Sequence, residues 1–212
     1  MPITLILGLI GVTATFNQRL LDPLTPLVAT SLSVHTDLVV LLAPAISLPF
    51  ALGQPFLGPV GDAYGKARLL KICTVLMALA SLGATFAPNY PTLFAMRILT
   101  GIAAGGIIPA SIALIADRFP VAERQVAMSR FMTLMMVGQA VSAPVSAAVA
   151  ETMHWRVSLF GAGLIALVGF AVAQINLKPR PGVVRTPLSL SGSLVTLFAI
   201  DDLWSDTGQF QR

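Results

Sequence analysis

Charge is scarce in this chain. Only 10% of its 212 residues are charged, 56% are hydrophobic and the mean hydropathy is +0.85, whereas a soluble domain carries roughly 25% charge. That scarcity excludes an ordinary water-soluble domain and indicates repeated passage through a lipid bilayer. Cysteine is nearly absent. Cys73 stands alone, which excludes an internal disulfide framework, and its apolar neighbours mark it as a small buried hydrophobe. Catalytic signatures are missing as well. There is no Gly-x-Ser-x-Gly element and no HExxH helix, and the glycine-rich stretch from Gly101 to Gly106 lacks the strand, lysine and Ser/Thr of a phosphate loop. His35 and His154 have no Cys or carboxylate cluster at metal-ligand spacing. The reading is of a chain that is not an enzyme and needs no metal or cofactor.

What remains is long apolar runs. A spanning helix needs roughly 20 mostly apolar residues. The gaps between charges give six such stretches, near Leu5 to Val28, Leu38 to Leu57, Leu69 to Phe86, Thr92 to Ala116, Val126 to Ala150 and Val157 to Leu177. The expected turns are Ser33 to Asp37, Gly58 to Arg68, Ala87 to Pro91, Asp117 to Gln125 and Thr152 to Trp155. The amino terminus has no basic region or convincing cleavage site before Arg19 and Asp22, so it reads as a first span and not as a removed signal. The fold class is all-α: residues 1–177 form a six-helix membrane bundle and residues 178–212 a cytoplasmic linker and tail. Within that tail, the apolar run from Leu188 to Ile200 is too short to cross.

Basic residues orient the bundle. Lys66, Arg68 and Lys71 surround the second turn, Arg118, Arg124 and Arg130 the fourth, and Lys178, Arg180 and Arg185 follow the sixth span, which places nine of the 13 on one side. The positive-inside rule then puts both termini in the cytoplasm of a cell membrane, plasma or inner. The net charge of +4 reports this topology and gives no support for nucleic-acid binding.

Arg97 is the one charge between Lys71 and Asp117. An arginine at membrane depth costs at least about 2.5 to 3.5 kcal/mol on insertion scales, so it persists where it pairs, lines water or does a job. Helical rise puts Asp22 and Arg97 at similar depth, about 26 and 28 Å from the inner face. Small residues at Gly101, Gly105, Gly138, Ser142 and Ser146 suit close helix approach, and Pro144 removes one backbone donor. Met128, Met132, Met135 and Met136 read as packing or as flexible lining.

The order of motifs resembles the major facilitator superfamily. Gly58, Asp62, Gly65, Lys66 and Arg68 fit its signature between the second and third helices. Arg97 and Gly101 look like its Arg-x-x-x-Gly element, with Asp117, Arg118, Glu123 and Arg124 at the cytoplasmic end. Gly138 to Ser146, with Pro144, resembles a degenerate antiporter motif in which Ser142 replaces the second glycine, and Trp155-Arg156 resembles the family's entry to the sixth helix. The position after the signature aspartate, commonly basic in the family, is Ala63 here.

The resemblance implies an amino-terminal six-helix half of a drug/proton antiporter-like transporter, moving a small molecule by alternating access with proton-coupled efflux. In that frame Gln18, Arg19, Asp22, Arg97 and Gly101 belong to the translocation path. Asp22 is expected to pair with Arg97; the competing arrangement joins it to Arg19, three residues away. Asp62 is expected to form a cytoplasmic charge cluster with Lys66, Arg68 and Asp117. Expected partners are the bilayer, a small-molecule substrate, protons, and either a second copy or a separate carboxyl-terminal half. The alternative is a truncated, nontransporting remnant that associates with other helices.

Overall fold

The computed structural model describes residues 3–177, so the expected tail and the run from Leu188 to Ile200 lie outside the described residues. Helices α1 (Ile3–Arg19) and α2 (Thr25–Leu32) make the first span, and α3 (Thr36–Val40) and α4 (Leu42–Tyr64) the second. The third is α5 (Lys66–Thr85). The fourth joins α6 (Tyr90–Gly105) to α7 (Ile107–Arg118). Helix α8 (Val121–Thr152) is the fifth and α9 (Arg156–Asn176) the sixth. All six stretches are long and apolar enough to cross a membrane. This is the expected six-helix membrane bundle.

Three spans are broken, and proline explains each break. In the second, Pro44 cannot donate to the carbonyl of Val40, where α3 ends, and Leu41 separates that helix from α4. Pro23 has no amide hydrogen to continue α1, so the chain passes through one tight turn, Asp22–Leu24, before α2 begins at Thr25. Pro109 likewise cannot donate to the carbonyl of Gly105, where α6 ends; Gly106 separates it from α7.

The connections are tighter than the sequence suggests. Gly58 to Tyr64 is helical, because proline at 59 already has a helix-compatible φ, and the expected second turn contracts to Gly65 alone. Gly65 has φ 99°, a region that glycine enters without a Cβ penalty. Its amide donates to Gly61 O at 2.9 Å while its carbonyl accepts from Leu69 N at 3.0 Å, so the two helices share one hinge residue. The fourth turn contracts to Phe119 and Pro120, leaving Asp117 and Arg124 on helices. Asn89 starts α6, its side-chain oxygen accepting from Thr92 N at 3.0 Å.

In lipid, helix association rests on van der Waals packing and interhelical hydrogen bonds, which favours small residues at interfaces. The first span packs on the fifth and sixth, the third on the sixth and fourth, and the second on the fourth. A Cβ at Gly101 would strike the carbonyl oxygen of Ile46, and one at Gly105 would lie 2.7 Å from Phe50 O. Those glycines set the approach of the second and fourth spans.

Buried apolar side chains form two clusters. One, at the end of the bundle that carries Lys66 and Arg118, contains Leu7, Leu70, Met77, Ile107 and Phe131. The other, at the far end, contains Leu20, Leu24, Val28, Leu42, Leu93, Trp155 and Leu159. Between them lies a buried polar layer of Asn17, Ser81, Arg97 and Thr100.

Candidate functional site

Arg97 occupies that layer and is 1% exposed. Its Nη2 donates at 2.9 Å to the carbonyl of Asn17, two residues from the end of α1, where the helix leaves carbonyls without intrahelical partners. The Asn17 side chain ties the same level together: Nδ2 donates to Thr13 O at 2.9 Å, and Oδ1 accepts from Ser81 Oγ at 2.8 Å. First, third and fourth spans thus meet through polar contacts at one depth. Arg97 Nε and Nη1 are buried without a hydrogen-bond partner among the described residues. A guanidinium carries five donors and no acceptor, so these open groups call for something that accepts.

Asp22 stands at the break in the first span. Its Oδ2 is 3.3 Å from Arg19 Nη1, which realises the local pairing; the expected pairing of Asp22 with Arg97 is not made in this conformation. The tight turn at Asp22–Leu24 holds Asp22 on the same side of the chain as Arg19, and both side chains are partly solvated there. Asp22 and Arg97 nevertheless line one cleft, with Thr25, Leu21, Val39 and Leu42. Gln18 is half-buried beside Asn17, whereas Arg19 is exposed. Gly101 lies one turn below Arg97 on α6 and packs against Ile46.

Of the other expected cluster, Asp62, Lys66 and Asp117 meet at the basic end, and Arg68 does not join them. Lys66 Nζ donates to both carboxylate oxygens of Asp117, at 3.0 and 2.9 Å, and lies 3.6 Å from Asp62 Oδ1. The start of α5 is thereby clasped to the ends of α4 and α7. Arg68 is exposed in the first turn of α5. Gly58 has open space where a side chain would stand, so close packing does not require glycine there in this conformation.

Gly138 and Ser142 face the first span. A Cβ on Gly138 would come within 2.9 Å of Val12 Cα, and Ser142 Oγ donates to Phe16 O at 2.5 Å. Thr15 Oγ1 reciprocates from α1 by donating to Met135 O at 2.9 Å. Pro144 is exposed and lies off that contact. On the first span, Gly8 and Gly11 meet Leu134, Met135 and Phe131, a contribution that sequence reasoning missed although their spacing is visible. Asn17 and Ser81 were missed too; their signal was a neutral polar side chain within an apolar run.

Arg156 has a defined task. Its Nη1 and Nη2 donate to Thr85 O and Ala87 O at 2.8 and 2.7 Å, satisfying carbonyls at the end of α5, and its guanidinium lies 5.0 Å from the Trp155 ring centre. His154, exposed in the turn before α9, accepts from Arg156 N through Nδ1 at 3.3 Å.

Comparison with known proteins agrees with this architecture. Residues 7–207 match the profile of the Major Facilitator Superfamily. The chain is 30% identical over 208 residues to the MFS-type transporter YdgK of Bacillus subtilis, covering 92% of this chain and 51% of YdgK. It is 31% identical over 143 residues to the efflux pump vrtL of Penicillium aethiopicum, covering 66% of this chain and 28% of the pump. The fold is similar to that of the proton:xylose symporter XylE, with TM-score 0.73 at 18% identity, covering 82% of this chain and 44% of that protein. The chain thus spans about half the length of YdgK and somewhat less than half that of XylE.

Proposed function

The chain belongs to the Major Facilitator Superfamily, and from that premise we propose that it supplies the amino-terminal wall of a secondary transporter that expels a small molecule by alternating access, coupled to protons. The observation that carries this reading is Arg97: a buried cation in the polar layer between the two apolar clusters, anchored to the first span through one nitrogen and without a partner among the described residues at two others. Ionisable groups at membrane depth mark substrate, ion or proton pathways. Asp22, on the same cleft, supplies a titratable carboxylate beside it. The direction of transport follows the efflux-pump relative.

The basic end faces the cytoplasm, as the positive-inside rule requires. Lys66, bridging Asp62 and Asp117, holds the second, third and fourth spans together at that face, and the small-residue contact of Gly138 and Ser142 with α1 allows the first and fifth spans to slide. The opposite wall comes from a second bundle, a carboxyl-terminal half or another copy of this chain, because superfamily members bind substrate between two six-helix halves.

A second reading, a helix-association protein without transport, is favoured by the low burial of the second and fifth spans, each 22% buried over its most apolar stretch. Inverted membrane vesicles containing the chain, energised and supplied with an apolar fluorescent dye on the outside, separate the two. Dye movement that stops when a protonophore collapses the gradient supports coupled transport. Movement indifferent to the protonophore refutes the coupling, and movement no faster than in empty vesicles favours the association reading.

A further inference from the structure

We propose that the hairpin of α2 and α3, residues 25–40, is a flap over the Arg97 cleft that swings on two hinges and is latched by the hydroxyl of Tyr90. The hinges are set by proline. Pro23 interrupts the first span at Asp22–Leu24, where Leu21 and Leu24 take the torsions of a turn, with φ −91° and −92° and ψ −8° and −1°. Pro44 interrupts the second at Leu41. Proline breaks are where helices bend most readily, since a ladder bond is already missing there. Between the hinges the hairpin is stiff. The amide of Ser33, which caps α2 at φ 53°, donates to Thr30 O at 3.3 Å, and that of Val34 donates to Ala29 O at 3.0 Å, so the tip is closed tightly and the two helices move as one body.

Little holds that body down. Its helices pack mainly on each other, on the Asp22–Leu24 turn and on α4. Within residues 25–40 only Val28, Ala29 and Val39 are buried, while Ser31, Ser33, His35, Thr36 and Asp37 give it an exposed polar tip that can travel through water. Among the described residues, one hydrogen bond joins it to a span other than its own two: Tyr90 Oη, at the start of α6, donates to Leu38 O at 2.6 Å. The hinges also flank the cleft. Leu21, Asp22 and Thr25 from the first and Val39, Val40 and Leu42 from the second line it together with Arg97. As closed, the cleft has room for about one water. An outward swing parts those walls and hydrates the guanidinium, whose Nε and Nη1 are buried without partners. Hydration of a buried charge favours the open position; burial of Val28 and Val39 and the Tyr90 bond favour the closed one. The flap goes beyond the transporter reading, because its motion needs neither cargo nor a second bundle.

The test uses the full chain in neutral detergent, with Leu21→Cys as reporter and native Cys73 as control. Leu21 and Cys73 are each 4% exposed, but Leu21 lines the cleft and Cys73 lies in the cluster at the basic end. When reclosing outpaces labelling, the rate follows the open fraction. Tyr90→Phe, which removes only the hydroxyl, is expected to speed labelling of the reporter thiol by a water-soluble maleimide about two- to tenfold, the scale of one lost hydrogen bond, and to leave Cys73 unchanged. Hydrogen exchange in the otherwise native chain is expected to rise by a similar factor across residues 27–40 together, which keeps the question open to measurement should Leu21→Cys fail to fold. Pro44→Ala returns a donor for Val40 O and is expected to slow both readouts. An equal rise at Cys73, or in exchange across all spans, would mean that the hydroxyl supports the whole fold and overturns the flap. No change with Tyr90→Phe overturns the latch, and unchanged or faster opening with Pro44→Ala removes the second hinge and the proposal with it.

Discussion

The hydroxyl of Ser81 donates to the side-chain oxygen of Asn17 at 2.8 Å, in a layer where both residues are buried. It joins the third span to the first at the depth where Arg97 reaches the Asn17 carbonyl. Interhelical hydrogen bonds of this kind in membrane proteins contribute about 0.6 kcal/mol on average and about 1.7 at most. Ser81→Ala is expected to destabilise the bundle by that order, and a double-mutant cycle with Asn17→Leu should return a coupling energy in the same range. Unfolding in mixed micelles provides the measurement; a coupling indistinguishable from zero would show that the bond is energetically idle.

Gly101 and Gly58 carry opposite predictions. Gly101→Ala places a methyl group against the Ile46 carbonyl, a rigid backbone atom, and is expected to cost about 1–3 kcal/mol as an overpacking change. Gly58→Ala meets nothing within 4 Å inside α4, so it is expected to be neutral or to stabilise by about 0.5–1 kcal/mol. Thermal melting of the two purified variants checks both at once. Similar losses from both would mean that the second span's helix ends differ in solution from those described.

The clasp at the basic end should depend on salt. Lys66 is 20% exposed, but Asp117 and Asp62 are 40% and 56% exposed, so each ion pair is expected to contribute no more than about 1 kcal/mol. Asp117→Asn should therefore lower stability modestly in dilute buffer and hardly at all near 1 M salt, where screening acts within about 3 Å. A loss of equal size at both salt concentrations would assign Asp117 a role other than charge.

Arg156→Lys tests geometry at constant charge. A lysine has no planar fork with which to reach Thr85 O and Ala87 O together, so one carbonyl loses its partner at a cost of about 1–3 kcal/mol. Hydrogen exchange should rise at the end of α5 before the rest of the bundle. Uniform exchange across all spans would show that Arg156 stabilises the whole fold and not that helix end.

The number and order of the six spans were legible because hydropathy and chain length together leave few alternatives in a bilayer. Helix ends were less legible. Gly58, Pro59 and Gly61 look like a turn, yet their helix persists to Tyr64, since proline φ and glycine freedom are both compatible with a helix whose neighbours hold it. The Lys66 and Asp117 contact was foreseeable from the compartment that the two turns share. The partner of Arg97 was not: depth along the axis matched Asp22, but the tight turn at Pro23 left that carboxylate with Arg19, and the carbonyl that Arg97 found belongs to the backbone, which no side-chain pattern announces.

A single residue, Gly65, connects α4 to α5, and one more span away the glycines of α6 hold α4 at backbone contact. There is no slack at that corner. When the second span tilts, the third must follow it or the torsions of Gly65 must absorb the whole rotation, so the corner works as a stiff lever and not as a tether. Lengthening it by two residues would leave every helix intact and uncouple their motion.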